Sequence, residues 1–374
     1  MPILVRCWII VLAAMLVTAC GGADQESVPA AVPLLTLGHV GHDHQIALGV
    51  AALEPEKMRQ QCGIHLQELK PREVYRMMEG ERPIAELHVK KVGGGSKMPE
   101  AMSRGELDVG LGGIAAILFF IDKGTDMKLL CPLNVDGDML LVQPEFPAAT
   151  WEEFVAAAKV SPKPLRIGYK EPVAVAKLIF ERACAAEGLR CVAAGQGKAG
   201  EVELVNLQGE ANVVPSLASG AVEGAVVNEP GGSIAVYKKA ARIVCQLSEL
   251  PPEGMWKSHP CCGICATGTA IANHRAVLQR LVKLIRAATE VINADKERAA
   301  ELAHQWTKQP LEVERSSVPN IVYTVDAGDA YRLGMERWFE MMRERDTFQG
   351  VLKELSNADA FARVHDLSFL RSVE

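Results

Sequence analysis

Short apolar runs rich in Val, Ile and Leu alternate with helix-like stretches along most of this chain, and that alternation limits its possible folds more than any other feature. Strands separated by helices of about 10–15 residues are typical of mostly parallel α/β sheets. We therefore expect an α/β fold, with strand signals fading after residue 273 and helices dominating from there on. The predicted strands are 34–40, 85–92, 107–113, 127–133, 138–144, 165–169, 202–207, 222–228 and 241–247.

Two segments repeat one theme and suggest two similar lobes. "SRGELDVGLGG" (103–113) and "ASGAVEGAVVN" (218–228) each place a glycine-containing turn before an apolar run. The clearest helix is predicted for residues 171–188, with Pro172 in its first turn and Gly188 at its end. Ligands of α/β sheets bind beyond the carboxyl ends of the strands, so we expect a site where the two lobes face each other.

The N-terminus predicts export. Arg6 precedes an apolar run of about 11 residues, too short for a bilayer that needs roughly 20. A basic start, an apolar middle and small residues at the end are typical of a secretory signal, here residues 1–19. "LVTAC" resembles a bacterial lipobox, which implies that Cys20 is lipidated. An uncleaved anchor, or a plain signal with a chance cysteine, is the alternative.

Composition restricts the partners. Residues 20–33 are small, polar and proline-containing, which favours a flexible tether. Residues 34–374 are enough for two domains. The formal charge is −6 and no basic run occurs, so nucleic acid is not an expected partner. The ten cysteines, eight without Cys7 and Cys20, lie in a chain too long to resemble a small disulfide scaffold.

Over about residues 34–310 the chain resembles periplasmic solute-binding proteins of the nitrate/sulfonate/taurine ABC-importer class. The resemblance rests on the lipobox and on "GGGSKMPEAMSRGELDVGLGG", "GTDMKLLCPL", "DGDMLLV" and "LVNLQGEANVVPSLASGAVEGAVVNEP". It implies a two-lobed type 2 binding-protein fold with a cleft, a two-stranded hinge and C-terminal helices. The expected lobes are 34–135 with 241–374, and 136–240.

The same resemblance implies a function. We expect a membrane-anchored, extracytoplasmic lipoprotein that captures a small anion or small organic solute by hinge closure, with nitrate, sulfonate and bicarbonate as examples. Its partners would be an ABC permease and, indirectly, its ATPase, and the protein would be a monomer without a required cofactor. An enzyme is not expected, because Gly-x-Ser-x-Gly, His-Glu-x-x-His and P-loop motifs are all missing from the sequence.

Ligand-binding residues are predicted at the ends of the strands. Imidazoles hydrogen-bond anions or ligate metals, and glycines let a ligand approach the backbone. For each residue a structural role, as a solvated loop, cap, tight turn or hinge residue, is the alternative. The predicted set is His39, His42 and Asp43, with His44 beside them, Gly95, Ser96, Gly112, Gly113, Lys170, Val173, Asn228 and Glu229.

"HPCCGIC" (259–265) stands apart from this pattern. It resembles the Cys-Cys-Cys-Phe-Cys motif of the iron-using fungal thiamine-pyrimidine synthase, with Cys261, Cys262 and Cys265 matching three of its cysteines. That enzyme consumes its own histidine, and Ala116 stands at the matching position here, which argues against the same chemistry. A metal site at the three cysteines, a metal-dependent enzyme of that kind, a redox or disulfide role, and a buried strand stay open.

Overall fold

The computed structural model describes residues 32–94 and 96–371. The predicted signal peptide, the predicted lipidation site Cys20, most of the predicted tether and the predicted site residue Gly95 lie outside these residues. Within them, no helix is both long and apolar enough to cross a bilayer.

Strands form two sheets. One has eight strands in the order β14-β6-β13-β5-β1-β4-β3-β2, and the other has six in the order β12-β7-β11-β8-β10-β9. We call each sheet with its packed helices the first and the second lobe. The strands are Leu34–His39 (β1), Ile64–Lys70 (β2), Val74–Glu79 (β3), Arg82–Lys91 (β4), Val109–Gly113 (β5), Met127–Val135 (β6), Asp138–Val142 (β7), Leu165–Tyr169 (β8), Cys191–Ala193 (β9), Val202–Asn206 (β10), Gly224–Asn228 (β11), Arg242–Gln246 (β12), Pro260–Thr267 (β13) and Val322–Tyr323 (β14).

Helices cover the sheets and dominate the C-terminal part, as the fading strand signal predicts. Beyond β13, the one strand among the described residues is the two-residue β14. The helices are Ile46–Leu53 (α1), Pro55–Cys62 (α2), Lys97–Ser103 (α3), Ile114–Asp122 (α4), Trp151–Val160 (α5), Val175–Ala186 (α6), Val213–Ala218 (α7), Gly231–Tyr237 (α8), Gly268–Ala294 (α9), Lys296–Thr307 (α10), Leu311–Ser317 (α11), Asp329–Glu344 (α12), Asn357–Val364 (α13) and Ser368–Arg371 (α14).

The chain passes between the lobes twice, as the two-stranded hinge requires. It leaves the first sheet between β6 and β7 and returns between β12 and β13. The predicted second lobe ends at residue 240, whereas the second sheet continues through β12, which pairs antiparallel with β7. The boundary therefore lies after Gln246, because hydrogen bonding to β7 keeps this strand in the second lobe.

The repeated sequence theme corresponds to equivalent strands. β5 pairs parallel with β1 and antiparallel with β13. β11 likewise pairs parallel with β8 and antiparallel with β7. Both repeats thus occupy the position where a parallel sheet meets an antiparallel neighbour. Their carboxyl ends are the edges at which ligands bind in α/β sheets.

Several elements differ from the predictions, among them β2, β3 and α6. β2 and β3 extend the first sheet by antiparallel pairing with β4, and neither was predicted from the sequence. The first two apolar positions of β2 are buried, but its last four residues are exposed and mostly polar. The predicted helix at 171–188 begins only at Val175, because residues 170–174 form a turn instead.

Candidate functional site

A cleft of about 710 Å³ lies between the lobes. Its first-lobe wall comes from the ends of β1, β4 and β5 and from the start of β13. Its second-lobe wall comes from the turn before α6, the segment after β10 and the end of β11. Polar and cysteine side chains from both walls line it: His42, Lys91, Ser96, Cys261, Cys262, Asp138, Lys170, Glu171, Gln208, Glu210, Asn228 and Lys238.

Of the cluster after β1, the structure places only His42 on the cleft. Its Nε2 lies 3.4 Å from the side-chain amide of Asn228 in the second lobe, and its buried Nδ1 has no partner among the described residues. Burial, and to a smaller extent the positive charge of Lys170, lowers the pKa of His42 well below its usual range. The ring is therefore neutral and offers Nδ1 as an unused polar atom.

His39 and Asp43 point into the first lobe rather than the cleft. His39 packs against Trp306 with ring centroids 5.7 Å apart, and burial with nearby Lys91 lowers its pKa to about 4. Asp43 accepts a hydrogen bond from the Ser317 hydroxyl. Burial, with Glu314 beside it, raises the pKa of Asp43 well above its usual range. Both residues act as buried supports for the turn that carries His42.

Ser96, a predicted ligand-binding residue, contacts a carboxylate of the protein itself. The Ser96 backbone N–H and hydroxyl donate to Oε2 of Glu171 in the second lobe, at 2.7 and 2.5 Å. Glu171 precedes α6, so its side chain reaches across the cleft. The two lobes are thus linked by one carboxylate, and we call this contact the latch.

Of the two predicted glycines at the end of β5, Gly113 lines the cleft and Gly112 does not. A Cβ on Gly112 would lie 2.4 Å from Cε of Met98, so this glycine serves helix packing against the sheet. A Cβ on Gly113 would have only the Cys261 carbonyl within 4 Å, at 3.9 Å. The open backbone of Gly113 therefore faces the cleft beside the cysteines.

In the second lobe, Lys170, Val173 and Asn228 line the cleft as predicted positions. The Lys170 ammonium donates to the Asn228 side-chain oxygen, and it lies 3.6 Å from a carboxylate oxygen of Glu210. The Asn228 amide spans both walls, because it contacts Lys170 on one side and His42 on the other. These side chains could orient an anion.

Glu229 is fully buried and lies behind the cleft rather than in it. Its carboxylate accepts hydrogen bonds from the Ser233 backbone and hydroxyl, at 3.0 and 2.9 Å. It also accepts one from the Asn320 side chain of the first lobe, at 2.7 Å. Burial raises the pKa of Glu229, and these bonds oppose that shift. These contacts make Glu229 a buried hinge residue, whereas the structural alternative was a solvated one.

The "HPCCGIC" segment forms the buried strand β13, and His259 joins the two crossings of the hinge. Its Nε2 lies 3.0 Å from Asp138 and its Nδ1 lies 3.1 Å from Asp136, both on the outward crossing. Burial opposes the charge on this ring, but hydrogen bonds to Asp136 and Asp138 outweigh it and raise the pKa of His259 to about 10. A cationic imidazole therefore fastens one crossing to the other.

The structure brings Cys261 and Cys262 together with His44, and it keeps Cys265 apart from them. The His44 Nδ1 lies 3.2 Å from the Cys261 sulfur and 4.0 Å from that of Cys262. The Cys265 thiol instead contacts the Met102 sulfur and the Gly110 carbonyl, at 3.4 and 3.5 Å. The physical reason is its position three residues further along a strand that runs from the cleft into the core.

A β-bulge explains how two consecutive cysteines reach one imidazole. Successive strand residues normally point to opposite faces. In β13, Pro260 pairs with Val135 and Cys262 with Asn134, so Cys261 is an extra residue in the ladder. Bulges re-aim side chains in this way and concentrate near functional sites.

Electrostatics differ between the two thiols. A hydrogen bond from Cys261 lowers the pKa of Cys262 to about 6, and His44 adds to the shift against the effect of burial. The same contact and burial raise the pKa of Cys261 well above its usual range. Burial opposes charge on His44, yet its hydrogen bond to Cys262 leaves its pKa raised. Cys262 and His44 can therefore form a thiolate–imidazolium pair when the His44 Nδ1 is protonated.

Sequence reasoning missed several polar cleft residues, among them Lys91, Asp138, Gln208, Glu210 and Lys238. Lys91 ends β4, and the strand-end rule applied to that predicted strand would have found it. Lys238 follows the short helix α8 and carries no comparable signal. Ala116, aligned with the consumed histidine of the fungal enzyme, does line the cleft.

Sequence comparison relates the chain to one family and to one individual protein. The profile of the NMT1-like family matches residues 79–306. The uncharacterized protein MJ1180 of Methanocaldococcus jannaschii is 35% identical over 113 residues, which cover 30% of this chain and 78% of that protein.

Solved structures share the fold. The ligand-binding component of an ABC-type import system from Staphylococcus aureus, with zinc bound, has a TM-score of 0.69 at 15% identity, covering 91% of this chain and 99% of that one. The nitrate-binding protein NrtA from Synechocystis PCC 6803 has a TM-score of 0.67 at 15% identity, covering 91% and 88%. The alkanesulfonate-binding protein SsuA from Xanthomonas axonopodis pv. citri, bound to MOPS, has a TM-score of 0.62 at 16% identity, covering 88% and 99%. At these identities the likeness concerns the fold alone.

Proposed function

Because the chain belongs to the NMT1-like family and has the fold of importer binding components, we propose that it is the solute-binding component of an ABC importer. The observation that carries this proposal is the cleft of about 710 Å³ whose walls come from both lobes. Sites of roughly 300–1,000 Å³ are typical for small molecules. The protein binds and releases its solute unchanged and is not an enzyme.

The charges in the cleft favour a small anion. Lys91 and Lys238 line it, and within the described residues neither has a carboxylate at ion-pair distance. Three acidic side chains also line the cleft, and each has a partner: Glu171 accepts from Ser96 in the latch, Asp138 is bonded to His259, and Glu210 lies 3.6 Å from Lys170. An entering carboxylate, sulfonate, nitrate or bicarbonate group would meet the ammonium groups of Lys91 and Lys238, and such attraction also favours association kinetically.

Capture proceeds by closure of the two lobes around the hinge. The latch and the contact between His42 and Asn228 join opposite walls, so they belong to the closed arrangement. Opening breaks these contacts and exposes the cleft, while His259 keeps the two crossings together. A solute that contacts both walls stabilises the closed form, which then docks on the permease.

Export and anchoring complete the proposal. The signal at 1–19 directs the chain out of the cytoplasm, Cys20 receives the lipid, and the tether lets a monomeric binding unit reach the permease and its ATPase. Replacement of Cys20 by Ser should move the protein from the membrane fraction to the soluble fraction. Retention of Cys20→Ser in the membrane would contradict this part of the proposal.

Calorimetric titration with nitrate, bicarbonate and an alkanesulfonate tests solute capture. Wild type is expected to bind one of them, and Lys91→Ala is expected to weaken that binding about 10-fold, the loss of roughly 1.4 kcal/mol. Lys90→Ala is the matched control, because Lys90 is exposed on the same strand but does not line the cleft. Equal affinity in Lys91→Ala and Lys90→Ala would contradict the assignment of this wall, and turnover of the solute would contradict a pure binding role.

A further inference from the structure

The cysteines at the inner end of the cleft, with His44, converge on one point. One ligand atom from each of His44, Cys261 and Cys262 can be chosen so that all three lie within 4.8 Å of one another. All three residues are buried, and both cysteines line the cleft. No disulfide involves these sulfurs, which are free thiols. Neither importer closure nor the anion-binding lysines uses this cluster.

We propose that His44, Cys261 and Cys262 bind one thiophilic divalent metal ion, of which Zn²⁺ is the representative, with a fourth coordination position open to the cleft. Thiolate and imidazole are the ligands that zinc prefers, whereas Mg²⁺ and Ca²⁺ take oxygen. This ligand set differs from the one that the sequence motif suggested. Cys265 is not in it, and His44, more than 200 positions away from Cys261 in the chain, takes its place.

The distances suit tetrahedral coordination. With Zn–N of about 2.0 Å and Zn–S of about 2.3 Å, a tetrahedral angle separates nitrogen from sulfur by roughly 3.5 Å. The observed separations from His44 Nδ1 are 3.2 Å to Cys261 and 4.0 Å to Cys262. They lie on either side of the required value, so shifts of a few tenths of an ångström are enough.

The imidazole is held in the orientation that a metal requires. His44 Nε2 lies 3.2 Å from the Gly137 carbonyl and donates its hydrogen there, which leaves Nδ1 facing the sulfurs. A backbone carbonyl on the second ring nitrogen is the usual support of a ligating histidine. The Asn134 amide, 2.9 Å from Nδ1, contributes one hydrogen bond that a metal would replace.

Among the described residues, no further His, Cys, Asp or Glu side chain, His42 included, completes this group to four ligands. Asp138 also lines the cleft, but its carboxylate is bonded to His259 at 3.0 Å. Three protein ligands with an open position are typical of zinc sites that bind a further ligand, whereas structural sites have four. Where the proposed solute capture holds, the position accepts a donor atom of the solute. The metal site itself does not depend on that function.

Titration with Co²⁺, followed by native mass spectrometry and by the sulfur-to-cobalt charge-transfer absorption, tests the site. One Co²⁺ per chain is expected, with the absorption typical of thiolate ligation, and Zn²⁺ should displace it. Cys261→Ser and Cys262→Ser should each weaken binding at least about 100-fold, since loss of outer supports alone costs 10–100-fold. His44→Gln should weaken binding similarly while part of the thiolate absorption is retained.

Cys265→Ser is the matched control, because it removes a buried thiol from the same strand outside the cluster. Unchanged Co²⁺ binding in Cys265→Ser, with loss in the other three variants, supports the site. Absence of bound metal in reduced wild type overturns it, as does equal binding in Cys261→Ser. Oxidation of Cys261 and Cys262 by air to a disulfide in the presence of Zn²⁺ also overturns it, in favour of a redox role. Calorimetric titration with the solutes in metal-free buffer tests the importer function separately from the metal site.

Discussion

Acidification should weaken the C-terminal part of the first lobe through His365. The ring is buried, its Nδ1 donates to the Phe361 carbonyl at 2.9 Å, and its Nε2 accepts from the Tyr331 hydroxyl at 3.0 Å. Protonation would remove the acceptor that Tyr331 uses. Burial lowers the pKa of His365 to about 4, a backbone hydrogen bond opposes that shift, and the nearby cations Arg332 and Lys128 add to it.

The sign and size of this pH effect on the unfolding free energy follow from the linkage between proton binding and folding. A pKa that falls from 6.5 to about 4 on folding contributes stability that is complete above pH 6.5 and is lost as pH falls toward 4. Each pH unit is worth about 1.4 kcal/mol, so the whole shift is worth about 3 kcal/mol. Between these limits the unfolded chain binds one proton more than the folded chain at this residue. The pKa of His39 is also lowered to about 4, so this residue contributes a further loss of stability over the same pH range.

Urea unfolding at pH 7.5, 6.5, 5.5 and 4.5 measures this effect. His365→Gln should be less stable than wild type at pH 7.5, but its unfolding free energy should fall less steeply, by about 1.4 kcal/mol per pH unit. His304→Gln is the matched control, since it replaces an exposed histidine and retains His365. Parallel profiles for wild type and His365→Gln would show that His365 does not cause the loss of stability at low pH.

Three further changes test the latch, the hinge and the core. Glu171→Gln weakens the two bonds that Ser96 donates to a carboxylate, each worth about 1.5–3 kcal/mol. The unliganded protein should open and its radius of gyration in small-angle scattering should rise; an unchanged radius would count against the latch. Glu229→Ala should lower the unfolding free energy by about 3 kcal/mol because it leaves the buried Ser233 donors unpaired, and a loss under about 1 kcal/mol would contradict the hinge role. Asp122→Ala should cost about 3 kcal/mol or more in urea unfolding, since this carboxylate accepts three backbone N–H groups of residues 349–352; a neutral result would show that water replaces it.

The strands that carry the site were predictable because burial on both faces leaves continuous apolar runs. β5, β6, β7 and β11 are of this kind, and all four were predicted close to their observed bounds. β2 was not, because its last four residues are exposed and its pattern lacks the apolar signal. The lobe boundary after Gln246 was not predictable either, because only the pairing with β7 assigns β12 to the second lobe.

The site itself was predictable in its location and less so in its contacts. The turns after β1 and β5 and the end of β11 do reach one cleft, as strand-end logic requires. Which side chains of a turn face inward depends on the local backbone, so His42 lines the cleft while His39 and Asp43 do not. Ser96 meets Glu171 only once both lobes are in place. The meeting of Cys261 with His44 depends on a bulge that no sequence pattern marks.

Native mass spectrometry of the protein purified without chelator or added ligand decides whether a solute is captured between the lobes. One small anionic adduct per chain is expected, lost on denaturation and reduced in Lys91→Ala but not in Lys90→Ala. A bare mass, together with no calorimetric binding of nitrate, bicarbonate or an alkanesulfonate, would contradict solute capture.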